Sequence, residues 1–370
     1  MTADDAFGAD LYRALGADGN VVFSPASIAT ALRLALLGAR GRTAAQVAAA
    51  LHLPAPQEAA QGLAAVSGLI AALAGSDLTL RAPNTMWVQS GLPLQPDFTG
   101  ALDRAASVAV RDADFRQAAE QATKEINALI AEQTAGKITD LLAPGVLGKD
   151  TRLVLASAVY LRAAWAHPFP SGATEDGPFH RAPGAAVRVP LMRVRARLRY
   201  LRGDGYQVVE LPYVGQRLGM VIVLPDGPPG PVEDRLAEAG VGGLLAGLAP
   251  RQVSLALPRF RVTCAYALRP ALTALGMTLA FNSDQADFSG ITTAERLAIS
   301  EVAHKAYLDV DEEGTEAAAA TAVVAVALAR ALGGDPPVEV TVDHPFLFAI
   351  LDAGNGLPLF LGRVTDPTAG

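Results

Sequence analysis

Apolar positions in the first third of the chain recur at helical spacing. Ala6 to Leu15 alternates apolar and polar residues with the 3.6-residue period that turns one helix face toward a core. Ser24-Pro25-Ala26-Ser27 predicts the start of a second helix. Ser24 is the N-cap, and Pro25 suits the first helical position, where a missing N–H costs nothing. An apolar run over residues 28–38 follows and stops at Gly38. Further helices are predicted from near Thr43, over Glu58–Ala74 and over Ala118–Gln133, with a strand over Thr79–Gln89. RLVLASAVYL, Arg152 to Leu161, is largely apolar throughout, as a central strand must be.

From Val187 onward the pattern is mostly that of strands. ARLRYL, YQVVELPY, GMVIVLP, QVSLALPRF, LAISEVAHKAYLDV, PVEVTVDHPFLFAIL and PLFLGRV are separated by Gly/Pro turns. One helix, Leu268–Leu275, interrupts them. Helices first and strands later predict an α+β fold rather than a βαβ repeat. No Ser/Gly linker, charge block or repeat of roughly 20–50 residues divides the chain, so the pattern leaves one domain and two equally open.

One segment fits neither period. Glu312 to Leu332 reads EEGTEAAAATAVVAVALARAL. It has no polar helix face after Glu316 and, from Thr315 on, none of the Gly, Pro, Asn or Asp of a loop. Its alanines favour helix, whereas Val323, Val324 and Val326 favour strand once a sheet offers hydrogen bonds. In a strand, Thr315, Ala317, Ala319 and Thr321 would share one face. All four are small and uncharged, so that face can be buried without overpacking or an unpaired charge. Glu316 falls on the other face, along with Ala318 and Ala320.

Composition narrows the function classes. Apolar residues make up 51% of 370, enough for a sizeable core, and a net charge of −7 argues against general nucleic-acid affinity. No run of roughly 18 apolar residues occurs, so no membrane span is expected. The acidic start MTADDAFGADLY lacks a signal-peptide pattern, which predicts a cytoplasmic protein, or a secreted one if a leader has been removed. Cys264 is the only cysteine and excludes an intramolecular disulfide; in RVTCAYAL it reads as a buried structural thiol. Arg193, Arg195, Arg197 and Arg199 share one strand face, read as solvated with Val194, Ala196, Leu198 and Tyr200 inward; an anionic partner is the other reading.

Searches for catalytic machinery fail. The five histidines, His52, His167, His180, His304 and His344, form no HExxH pair, and one cysteine cannot build a structural zinc site. No GxSxG elbow is present. Ala131 occupies the first-glycine position of a phosphate loop ending at Gly136-Lys137, and Leu245 the third-glycine position of a dinucleotide motif at Gly240 and Gly242. Neither enzymatic activity nor a cofactor or metal is expected.

Several segments, in order, resemble the serpins, a family of serine-protease inhibitors. NVVFSPASIATALRLALLGARGRTAAQ (20–46) is similar to the family's N-terminal signature. INALIAEQTAGKITDLL (126–142), RLVLASAVYLRAAW ending at Trp165, HPF (167–169), VVELPY, PRF (258–260), ADFSGI (286–291) and ISEVAHKAYLDVDEEGT follow, and HPFLFAI and PLFLGRVTDP close the chain. The resemblance covers about Ala6 to Pro367. It implies one serpin domain over 6–368, with three β-sheets, about eight or nine helices and an exposed reactive-centre loop near 312–335.

The same resemblance implies site residues. Glu312, Glu313, Gly314, Thr315, Glu316, Ala317, Ala318, Ala319, Ala320 and Thr321 match the loop's hinge. Ser24, Ser27 and His304 match the shutter beneath the main sheet, and Trp165 the breach above it. Ser157 stands where the family usually has asparagine; having the shorter reach, it implies a looser or water-bridged shutter. Counting 14 residues from Gly314 places the scissile bond at Leu328-Ala329, suited to a chymotrypsin-, elastase- or subtilisin-like enzyme. The 31 residues from Gly314 to Pro345 make a long loop, so bonds after Arg330 or Leu332 are alternatives, Arg330 favouring a trypsin-like enzyme. The implied partner is a serine protease held as a covalent acyl-enzyme by a monomeric inhibitor. A non-inhibitory binding or chaperone protein of the same fold is the competing reading.

Overall fold

The computed structural model describes residues 1–16, 18–73, 78–102, 108–182, 185–315 and 336–369. The chain begins with α1 (Ala3–Leu15), β1 (Val21–Phe23), α2 (Pro25–Gly38), α3 (Gly41–Ala50) and α4 (Ala59–Leu73). Next come β2 (Leu78–Arg81), β3 (Asn84–Gln89), α5 (Pro96–Leu102), β4 (Val108–Ala113), α6 (Phe115–Gln133) and β5 (Leu153–Ala164). Strands then dominate: β6 (Glu175–Ala182), β7 (Ala185–Arg202), β8 (Tyr206–Pro212) and β9 (Leu218–Pro225). After α7 (Gly230–Leu244) come β10 (Ala249–Pro258), β11 (Phe260–Ala267), α8 (Arg269–Ala274) and β12 (Ile299–Val310). The chain ends with β13 (Gly314–Thr315), β14 (Val338–Thr341), β15 (Phe346–Asp352) and β16 (Pro358–Val364).

The predicted caps act locally. Ser24 Oγ accepts the Ser27 N–H at the start of α2, and Pro25 occupies the first turn. The fold is α+β, with two hydrogen-bonded ladders. A seven-stranded sheet runs β11-β12-β13-β5-β3-β4, with β2 also on β5. A nine-stranded ladder runs β1-β16-β15-β9-β8-β7-β10-β14, with β6 on β7. The three sheets expected appear as two ladders because β7 serves both parts of the second. It pairs with β6 up to Leu191 and with β8 from Arg199 on, while β10 pairs along its other edge from Leu191 to Tyr200.

The central position of β5 follows from its composition. Leu153 and Leu155 face the core formed with α2, and Val154, Ala156 and Ala158 face α6 on the opposite side. Ser157 is the polar exception within this doubly covered run. Cys264 is half-buried on edge strand β11 rather than fully buried, because that strand has a neighbour on one side only. No helix among the described residues is long and apolar enough to cross a membrane.

Candidate functional site

The site lies where β5 and β12 meet. The two strands pair directly and in parallel from Ile299↔Leu153 to Tyr307↔Tyr160. Above that point they part, and β13 sits between them: Thr315 pairs with Val310 of β12 and with Ala163 of β5, and Gly314 pairs with Ala164. The chain leaves β12, turns through Asp311–Glu313 and re-enters the same sheet. Asp311 Oδ1 shapes the turn by accepting the N–H groups of Glu313 (2.9 Å) and Gly314 (3.1 Å).

Glycine is required at 314 by the close approach of the turn to β5. A Cβ there would overlap the Ala163 carbonyl and the Ala164 Cα, so only glycine lets the turn come this close to β5. Thr315 is fully buried, and its Oγ1 lies 2.6 Å from the Tyr213 hydroxyl. Tyr213 stacks on Trp165 with ring centroids 4.5 Å apart. Trp165 in turn donates from Nε1 to the Asp311 carbonyl and from its backbone to that of Glu313. Burial raises the Tyr213 pKa, so the phenol stays protonated as a hydrogen-bonding group.

A charged clamp holds the turn's outer side. Glu312, only 6% exposed, accepts from Arg259 Nε (2.7 Å) and Nη2 (2.5 Å) and from the Thr174 hydroxyl (2.5 Å). Burial pushes its carboxyl upward. The Arg259 and Thr174 hydrogen bonds outweigh that and hold it below the ordinary carboxylate range.

Beneath the opening lies a second, wholly buried polar cluster. The Ser24 backbone N–H donates to His304 Nε2 at 3.1 Å, and Ser157 Oγ is 3.0 Å from His304 Nδ1. Because a backbone N–H can only donate, Nε2 is the acceptor and Nδ1 carries the proton. That sets the direction of the chain. Nδ1–H donates to Ser157 Oγ, Ser157 to Ser27 Oγ (3.0 Å), and Ser27 to Asn84 Oδ1 (3.1 Å). Each hydroxyl gives one bond and takes one. Burial lowers the His304 pKa to about 3, which keeps the ring neutral.

In front of this cluster, α6 and the segment after it cover the sheet. Ile126, Ile130, Ile138 and Leu142 pack on Val154, Ala156, Ala158 and Ala303. Lys305 of β12 reaches Asp140 at 2.7 Å, and the Lys137 ammonium lies 5.7 Å from the Tyr307 ring centre.

A family model described as serpin (serine protease inhibitor) matches residues 2–367. The chain belongs to the serpin family. It is 39% identical to an uncharacterized serpin-like protein of Thermococcus kodakarensis, over all of this chain and 86% of that one. It is 36% identical to the leukocyte elastase inhibitor of Xenopus tropicalis, over 98% of this chain and 97% of that one. Its fold matches the crystal structure of tengpin, a thermophilic serpin in the native state, with a TM-score of 0.89, 25% identity, and coverage of 98% of this chain and 93% of that one.

In this serpin, Ser24, Ser27, Ser157 and His304 fall into one hydrogen-bonded cluster, and Trp165 lies against the turn formed by Glu312, Glu313 and Gly314. Ser157 touches both Ser27 and His304 directly. Asn84, which sequence reasoning missed, brings an amide into the cluster from β3, the neighbouring strand. The register Asn84↔Ser157 puts it there, and only the pairing reveals it. Tyr213 and Arg259 lie in the VVELPY and PRF segments, and only their contacts with Thr315 and Glu312 reveal them as part of the site. Glu316, Ala317, Ala318, Ala319, Ala320 and Thr321, and the bonds at Leu328, Ala329, Arg330 and Leu332, lie outside the described residues. Among the described residues no His/Cys/Asp/Glu group suited to a metal ion occurs.

Proposed function

We propose that this serpin is a suicide-substrate inhibitor of serine proteases that cleave after an apolar residue, with Leu328-Ala329 as the scissile bond. The observation that carries the reading is Thr315. It is seated between β12 and β5, with its side chain on the interior face, at the upper end of a seam along which those strands still pair with each other. Ala317, Ala319 and Thr321 follow on the same strand face by alternation, and all are small and uncharged. Acylation at Leu328 frees residues from 316 on to continue β13 downward. The β5–β12 pairing opens as far as the His304 cluster, and an exposed loop becomes a central strand with paired backbone groups. The native state is then kinetically held, and the tethered protease is dragged away before it deacylates.

Mixing the protein with chymotrypsin, elastase, subtilisin and trypsin tests this. A complex stable in SDS is expected with the first three, with a mass-spectrometric cut after Leu328 and a higher melting temperature after cleavage. Loop cleavage with neither complex nor melting gain would assign the chain to the non-inhibitory serpins. A complex formed with trypsin alone, cut after Arg330, would move the scissile bond.

A further inference from the structure

The arginine row on β7 is exposed on one face. Arg193, Arg195, Arg197 and Arg199 face solvent, while Ala196 and Leu198 between them are buried. The four differ in their partners. Arg193 approaches Glu175 at 3.9 Å, and Arg199 is paired with Glu210 at 2.6 Å. Among the described residues, Arg195 and Arg197 have no ion pair. Their cross-strand neighbours on β10 are Ser254 and Gln252, both neutral. Glu339 of β14 lies one strand further along the Arg195–Ser254 row.

Position gives the row its meaning. The strand order is β7-β10-β14, and β14 resumes the described chain a few residues beyond the loop that would carry Leu328. Two strand spacings, roughly 10 Å, separate the arginines from the strand that anchors the far end of that loop. That is about one Debye length at 0.1 M salt, so a protease seated on the loop comes within range of these charges. The whole chain carries −7, which by itself repels an acidic enzyme. Two unpaired guanidinium groups beside the docking edge offset that repulsion where it counts.

We infer that Arg195 and Arg197 form a secondary docking surface that steers a target protease bearing an acidic patch beside its substrate cleft. The surface rests on the inhibitor reading above and gives that reading a class of partner. It acts on encounter rather than on loop insertion, since β7 lies in the other ladder and pairs with none of β5, β12 and β13.

The test measures association rate constants of the full-length protein with a subtilisin-like protease of low isoelectric point and with a basic chymotrypsin-like one. The wild type, Arg195→Glu/Arg197→Glu and the milder Arg195→Gln/Arg197→Gln are compared from about 20 to 500 mM salt. For the acidic enzyme, charge reversal should slow association about tenfold or more at low salt and flatten the salt dependence. The Gln pair should show a smaller loss, and melting temperature and the fraction of inhibitor trapped as complex should not change. Unchanged rates and salt slopes in a variant that still forms complex would overturn the surface while leaving the inhibitor reading intact. No complex from the wild type with any protease would overturn that reading and the surface with it. An effect appearing only when heparin or inorganic polyphosphate is added would give the face to a free polyanion and overturn protease docking.

Discussion

The hydroxyl of Tyr213 and Oγ1 of Thr315 lie 2.6 Å apart in a fully buried contact. Thr315, which pairs with both β12 and β5, is thus joined to a residue just beyond β8 in the other ladder, whose ring stacks on Trp165. Seating at this point depends on a small hydroxyl side chain. Thr315→Arg would drive a charge into the space beside Tyr213, at a cost of several kcal/mol unless β13 withdraws. The expected result is a variant that is cleaved at the same bond but no longer traps protease, read as loss of the SDS-stable complex with cleavage rate retained.

Gly314→Val tests the same seat through the backbone. Its side chain would meet the Ala163 carbonyl, so β13 should be expelled while the rest of the sheet keeps its pairing. Hydrogen exchange should quicken at Thr315 and Ala163 and stay slow along the Ser157–His304 seam.

The buried cluster makes its own prediction. Ser157→Ala leaves His304 Nδ1–H without an acceptor and takes from Ser27 Oγ the bond it accepts, while Asn84→Ala removes the acceptor of the Ser27 hydroxyl. Each should destabilise by about 1–3 kcal/mol, the usual cost of a buried group left unpaired, Ser157→Ala more because it breaks the chain in the middle. The double variant should cost less than the sum of the two, since both break one chain. Unfolding midpoints in denaturant decide this. Ser157→Asn should also destabilise, because Ser157 is buried and already bonded on both sides.

Acid should weaken the seam at His304. Its folded pKa, about 3, lies below the unfolded value of about 6.5, so the buried ring is neutral and must be kept so. The stabilisation is complete above pH 6.5 and falls by about 1.4 kcal/mol for each unit of pH below it, until the folded ring protonates. By pH 5 the loss is about 2 kcal/mol. Unfolding rates measured between pH 7.5 and 4.5 should rise steeply in the wild type and much less in His304→Gln.

Glu312 and Arg259 predict an effect confined to the turn at Asp311–Glu313. Glu312→Gln removes the charge that Arg259 and Thr174 serve. The arginine side chain is 48% exposed, so the pair is screened and the loss should be about 1–2 kcal/mol rather than that of a buried ion pair. The depressed Glu312 pKa contributes stability above its unfolded pKa of about 4.5 that is lost as pH falls below it. This window lies lower than that of His304. Easier release of the turn should appear as faster proteolysis near Asp311.

The sequence by itself determined the local elements and the small-residue alternation. Ser24 and Pro25 start a helix, the apolar run Arg152–Leu161 reads as a central strand, and Thr315, Ala317, Ala319 and Thr321 would share one face of any strand they form, because cap chemistry and a two-residue period are local rules. Tertiary structure alone decided who meets whom. The strand register brings Asn84 beside Ser157, which are far apart in the chain, and packing of one ladder on the other sets Tyr213 against Thr315. The parting of β5 from β12 above Tyr160 and Tyr307 is likewise a matter of pairing. Such contacts depend on how strands pair and pack across a long stretch of chain, and no local period records them.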